Sequence, residues 1–223
     1  MWDIPTRAFH WFLAISLCAS WATAEAGFEW IDTHDFLGYC ALTLVLFRIL
    51  WGVTGTRYAR FSDFVKGPGT VAATVPKLFS RNPGTDVGHN PIGGWSVLVF
   101  LLLVGIQAGT GLFISDDVLH SGPYHHVISS SLAGQLAQIH HLNSTAIQVF
   151  VVIHIVAIAW YRWGKDTALV GPMISGRKAL DDPAQSIGSS QLLKALAVFA
   201  VAAGAITALI QLAPAPTFDE FMF

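Results

Sequence analysis

Along the chain, long apolar stretches alternate with polar connections. The apolar runs fall near 7–24, 35–53, 94–114, 142–161 and 192–212, each close to the roughly 20 residues that a helix needs to cross the hydrocarbon core of a bilayer. The pattern predicts an all-α fold, an integral membrane bundle of five transmembrane helices. The connections are short apart from 54–93 and 162–191, and no internal repeat, low-complexity tract or long linker interrupts them, so 1–223 reads as one domain. In the connection 115–139, Leu132, Leu136 and Ile139 recur at helix spacing and predict a short amphipathic helix lying on the outer surface. Arg7 ahead of the first run and Ala22-Thr23-Ala24 behind it have the outline of a cleavable signal peptide; the run is read as a retained span.

Composition excludes the soluble alternatives. Of 223 residues, 53% are hydrophobic and 12% charged, where a soluble domain carries about a quarter charged residues, and the mean hydropathy is +0.56. With 12 Lys and Arg against 14 Asp and Glu, the net charge of −2 offers no basic footprint for nucleic acid. Cys18 and Cys40 lie in apolar runs without a C-x-x-C pattern, so neither a disulfide framework nor a zinc site is indicated.

The charge map sets the orientation. Arg7, Arg48, Arg57, Arg60, Lys66, Lys77, Arg81, Arg162, Lys165, Arg177, Lys178 and Lys194 all fall on one side of the five-span scheme. The opposite connections and the tail carry Glu25, Glu29, Asp32, Asp35, Asp116, Asp117, Asp219 and Glu220, with no Lys or Arg. By the positive-inside rule the N-terminus is cytoplasmic and the C-terminus is outside. Trp51, Trp95, Trp160 and Trp163 then form an inner aromatic belt, with Trp21 and Trp30 in the outer one.

Imidazoles inside a bilayer are costly and usually functional, which makes the histidines informative. His10 sits about a turn into the first span from the inside, and His34 at the outer lip of the second. His140 and His154 on the fourth span are 14 residues apart, which corresponds to about 40° in azimuth and about 21 Å in height. They share a face, whereas His141 is turned about 140° from His154. Because the fourth span runs inward, His140 matches the depth of His34 and His154 approaches that of His10. Zinc wants three or four ligands, and no Cys, Asp or Glu accompanies either pair. Ligation of a haem iron by two imidazoles needs just these two, and bundle interiors commonly hold such cofactors. A hydrogen bond or a proton relay is the competing role for any one of these histidines.

Several stretches then carry a likeness. Arg7-Ala8-Phe9-His10-Trp11, His34-Asp35-Phe36-Leu37-Gly38, Phe47-Arg48-Ile49-Leu50-Trp51-Gly52 and Gly88-His89-Asn90-Pro91-Ile92-Gly93, with His140 and His154, resemble the bacterial cytochrome b561 family, which includes the b-type cytochrome subunit of nickel–iron hydrogenases. The resemblance covers nearly the whole chain. It implies a protein of the bacterial inner membrane in which four helices enclose two b haems and pass electrons between a redox partner protein and the quinone pool. His10, His34, His140 and His154 would be the axial ligands. Two features depart from the pattern: His141 stands where an acidic residue is expected, and stand-alone members have four spans rather than five. The second leans towards the subunit branch.

Other residues have two readings each. Arg48, 14 residues after His34, repeats its azimuth one level deeper and faces the inner haem, either as a propionate partner or as a snorkelling arginine. Asn90 and Pro91 make a helix start, next to which His89 is a candidate for a quinone pocket. Gly105 and Gly109 suit close helix packing or room for a haem edge. His125 and His126 are candidate alternative ligands of the outer haem, read rather as solvated or propionate-facing; no role is assigned to His120. An acidic outer face fits a basic cytochrome c as partner. It argues against the alternative of a self-sufficient superoxide or quinone oxidoreductase, which would need a basic outer surface to attract an anion.

Overall fold

Asp3 starts the first helix: its Oδ1 accepts the backbone N–H of Thr6 at 2.7 Å, and Pro5 occupies the first turn, where its missing N–H costs nothing. Helix α1, Ile4–Ala26, ends at Gly27, whose φ of 107° is a conformation that residues with a Cβ rarely adopt. The computed structural model describes residues 2–78, 80–81, 90–116, 120–177 and 187–215. A 3₁₀ turn, Phe28–Trp30, reverses the chain into α2, Ile31–Thr54, which packs along α1. The connection that follows holds two short helices, α3 (Phe61–Phe64) and α4 (Pro68–Leu78), absent from the sequence reading. Gly52 admits α3 against α2, since a Cβ there would overlap the ring of Phe61.

Helix α5, Pro91–Gly111, begins as its sequence predicts, with Asn90 capping the N–H of Gly93 at 2.6 Å and Pro91 in the first turn. The Asn90 amide also donates to the Tyr161 hydroxyl, tying α5 to α6. Helix α6 spans Ser130–Trp163, α7 is Val170–Ser175 and α8 is Leu192–Gln211.

One expectation changes. The amphipathic helix expected within 115–139 is not a separate surface element: Leu132, Leu136 and Ile139 lie in the first turns of α6, a continuous helix of 34 residues. The cap at Ser129 starts it early, and a lone Gly134 costs too little, about 1 kcal/mol, to break it. At 1.5 Å per residue α6 is about 51 Å long, well beyond a hydrocarbon core of about 30 Å. Among the described residues, four helices are long and apolar enough to cross a membrane: Phe28–Thr54, Pro91–Gly111, Ser130–Trp163 and Leu192–Gln211. Helix α1 has the length, 23 residues, but dilutes its apolar run with Thr6, Arg7, His10, Ser16, Ser20, Thr23 and Glu25.

The core lies around α2, which packs against α1, α5 and α8. Phe9, Leu13, Leu44, Phe47, Trp51, Leu101, Val104 and Ala202 are buried there, with Trp51 fully enclosed and stacked on Phe47. Helix α6 packs closely on α5, but among the described residues it has no comparable packing with α1 or α2. The space between α6 and the α1–α2 pair is crossed by imidazole rings.

Candidate functional site: two facing histidine pairs

His10 of α1 faces His154 of α6, ring centroids 6.4 Å apart, and His34 of α2 faces His140 of α6 at 6.3 Å. The pairs are those that depth and azimuth had selected. Two imidazoles on opposite sides of one metal, with metal–nitrogen bonds of about 2.0 Å and nitrogens about 1.15 Å from the ring centroids, have centroids about 6.3 Å apart. Both pairs therefore stand at a separation at which two imidazoles could hold one metal ion between them. Fourteen residues of α6 put the two levels about 21 Å apart.

Backbone carbonyls orient the outer pair. Nδ1 of His34 lies 2.9 Å from the carbonyl oxygen of Ser20 on α1, and Nδ1 of His140 lies 2.9 Å from that of Gln107 on α5. A carbonyl oxygen can only accept, so in both contacts Nδ1 carries the proton and Nε2 keeps the free lone pair that iron requires. Thr110 Oγ1 stands 3.2 Å from the same His140 nitrogen, and Asn143, one turn on, donates to Leu103 O and to Gln107 Oε1, locking α6 to α5. Gly111 keeps the His140 ring free to sit there, because a Cβ would come within 3.3 Å of its Cε1. The inner pair has an aromatic frame instead: the Trp11 ring stands edge-on to His10, and Phe100 edge-on to His154.

The surroundings suit a flat apolar group. A Cβ at Gly38, one turn after His34, or at Gly109 would meet nothing within 4 Å, and one at Gly105 would meet only Val45 at 3.9 Å. In the GxxxG of α5, Gly109 thus borders open space while Gly105 faces Val45 of α2 at ordinary contact distance. Among the described residues no three His, Cys, Asp or Glu side chains gather as a metal cluster, so the donor sets are pairs.

His141 is exposed and belongs to neither pair. His125 Nδ1 lies 3.0 Å from the carbonyl oxygen of Phe113, just beyond α5, and His126 Nε2 meets that of Pro214, just beyond α8, so each ties the outer connection to a helix end through one ring nitrogen. His120 pairs with Asp35 at 3.1 Å. His89, Asp117, Lys178, Asp219 and Glu220 lie outside the described residues.

Arg48 is not a snorkelling arginine: it is 1% exposed, donates to the carbonyl of Ala59 at 3.0 Å and is boxed by the rings of Phe9, Phe61 and Phe64. Sequence reasoning missed Asp3, which is 1% exposed and accepts from the indole of Trp51 and the hydroxyl of Thr56 besides capping α1. An Asp two residues before Pro5 at the head of an apolar run was the signal. It missed the Ser20 and Gln107 carbonyls as well, which no residue type announces.

A helical bundle with membrane-length apolar helices and two facing imidazole pairs at two levels defines a class, the multi-pass membrane cytochromes of b type. The model of the prokaryotic cytochrome b561 family matches residues 1–176, and the chain belongs to that family. It is also similar to a probable Ni/Fe-hydrogenase B-type cytochrome subunit from Bradyrhizobium diazoefficiens, with 22% identity over 213 residues, covering 82% of this chain and 86% of the relative. No solved structure matches the chain. The protein is a membrane b-type cytochrome of electron transfer, and its cofactor is b-type haem.

Proposed function

We propose that the chain binds two b haems, one between His10 and His154 and one between His34 and His140, and conducts electrons across the bacterial inner membrane between a redox partner protein and quinone. The observation that carries this is the pair of centroid separations, 6.4 and 6.3 Å. A haem supplies reversible one-electron chemistry, and two axial imidazoles leave its iron no open position for a substrate. The protein's part is to hold the rings facing, to fix the outer tautomers through Ser20 and Gln107, and to surround the pairs with apolar residues. Arg48, buried at the inner end of α2, is the guanidinium that would meet a propionate of the inner haem.

All five long helices span the membrane in this reading, as a single domain with the N-terminus cytoplasmic and the C-terminus periplasmic. The similarity to a hydrogenase cytochrome subunit favours an oxidoreductase subunit as partner; a basic cytochrome c docking on the acidic outer face is the other candidate. A pyridine haemochrome assay on the purified chain is expected to give two haems per polypeptide, low-spin by electron paramagnetic resonance. Reduction by a quinol in liposomes, with an oxidant on the opposite side, tests the path. One haem per chain, or high-spin iron, refutes the ligand assignment.

A further inference from the structure

Among the described residues, the buried side-chain polar atoms without a hydrogen-bond partner are Thr6 Oγ1, Arg7 Nε and His10 Nδ1. All three lie within five residues of α1. Thr6 and Arg7 precede His10 by four and three residues, which places them about 40° and 60° to either side of its direction and one turn nearer the inner end of the helix. Thr6 is only 6% exposed. A buried donor left without an acceptor is costly, and native folds rarely keep one. Here two such atoms, Thr6 Oγ1 and Arg7 Nε, lie one turn before the proposed ligand His10.

The strap beyond α6 sets the guanidinium in place. Arg7 Nη1 donates to the carbonyl of Ile174 in α7, and the indole of Trp11 leans on that of Met173 at 3.4 Å. Gly176 closes α7 at φ 74°, and a Cβ on it would stand 3.1 Å from Cζ of Arg7. The strap thus anchors one edge of the guanidinium on backbone and leaves Nε buried with nothing to bind. What is missing is an acceptor for a hydroxyl and a guanidinium N–H carried by consecutive residues of α1. A carboxylate has the two oxygens for it.

We propose that Thr6 and Arg7 form a cradle for one propionate of the haem held by His10 and His154, leaving the second propionate to Arg48. This rests on the proposed inner site. Arg7 then acts as a positioning and tuning residue: its charge neutralises the carboxylate and favours the reduced iron, which carries one positive charge fewer.

The test uses the full chain in a His34→Ala background, which retains the inner haem alone. Arg7→Gln is expected to weaken reduction of that haem about tenfold, a fall of about 59 mV for one electron. Arg7→Lys keeps most of the potential, and Thr6→Val lowers it by less. After reconstitution with haem dimethyl ester, whose propionates are neutral, the chain with Arg7 intact and the Arg7→Gln variant should titrate alike. Equal potentials with native haem overturn the cradle, as does an equal fall with the ester. If Arg7→Gln loses its haem, Thr6→Val and Arg7→Lys decide by the same comparison. Retention of two bis-imidazole haems by His10→Ala refutes the inner site itself, a separate failure.

Discussion

Removing the Asp3 carboxylate should loosen the inner end of the bundle before anything else. Its two oxygens accept the Thr6 backbone N–H at 2.7 Å, the Trp51 indole N–H at 3.1 Å and the Thr56 hydroxyl. Trp51 is fully buried and Thr56 4% exposed, so Asp3→Ala leaves two side-chain donors with no acceptor in a dry site. Loss of the cap costs about 1 kcal/mol, and each orphaned donor about 1–3 kcal/mol. Because one carboxylate serves all three, the losses are not additive, and about 3–4 kcal/mol is the expected total. For a chain of this length that corresponds to about 6–16 °C in melting temperature. Asp3→Asn keeps a capping oxygen and should lose less, about 1–2 kcal/mol. His10 lies seven residues further along the same helix, so the inner haem should leave first on heating. The assay follows far-UV circular dichroism and the Soret band of the detergent-solubilised variants, with haem counted per chain. An Asp3→Ala protein that melts within about 2 °C of wild type and keeps both haems refutes the reasoning.

The exposed side chain of His141, against the facing ring of His140, means that His140→Ala should lose one haem and His141→Ala none; the opposite result in a haem assay would reassign the ligand. Gly111→Val should displace the His140 ring, since even its Cβ would be 3.3 Å from Cε1, and the outer haem should fall in occupancy or turn high-spin while the inner one is unaffected; an unchanged spectrum counts against the outer site. The inner pair shares its end of the bundle with Arg7 and Arg48, whereas Asp32 and Asp35 flank His34. On charge alone, therefore, the His10–His154 haem should have the higher potential. Redox titration of His34→Ala and His10→Ala assigns each value, and the reverse order refutes this.

Much of this arrangement was written in the order of residues. Apolar runs of membrane length dictate helices because lipid offers no partner for a backbone N–H or C=O. The 14-residue spacing of His140 and His154 makes one face of two levels, because a helix repeats its azimuth with that period. Asn90 and Pro91 start α5 through chemistry local to one turn. What no spacing disclosed depends on residues far apart in the chain. The burial of Arg48 among Phe9, Phe61 and Phe64 and the joining of Asp3 to Trp51 and Thr56 arise only when separate segments close on one another. The surface helix expected before the fourth span failed for a related reason: hydrophobic spacing marks a helical face but not where one helix ends and another begins, and here the Ser129 cap set the start of α6 well before its apolar run. The Ser20 and Gln107 carbonyls that orient the outer imidazoles were beyond reach for the simplest cause. Every residue has a carbonyl, and only the packing of α1 against α2 and of α5 against α6 selects which ones meet a histidine.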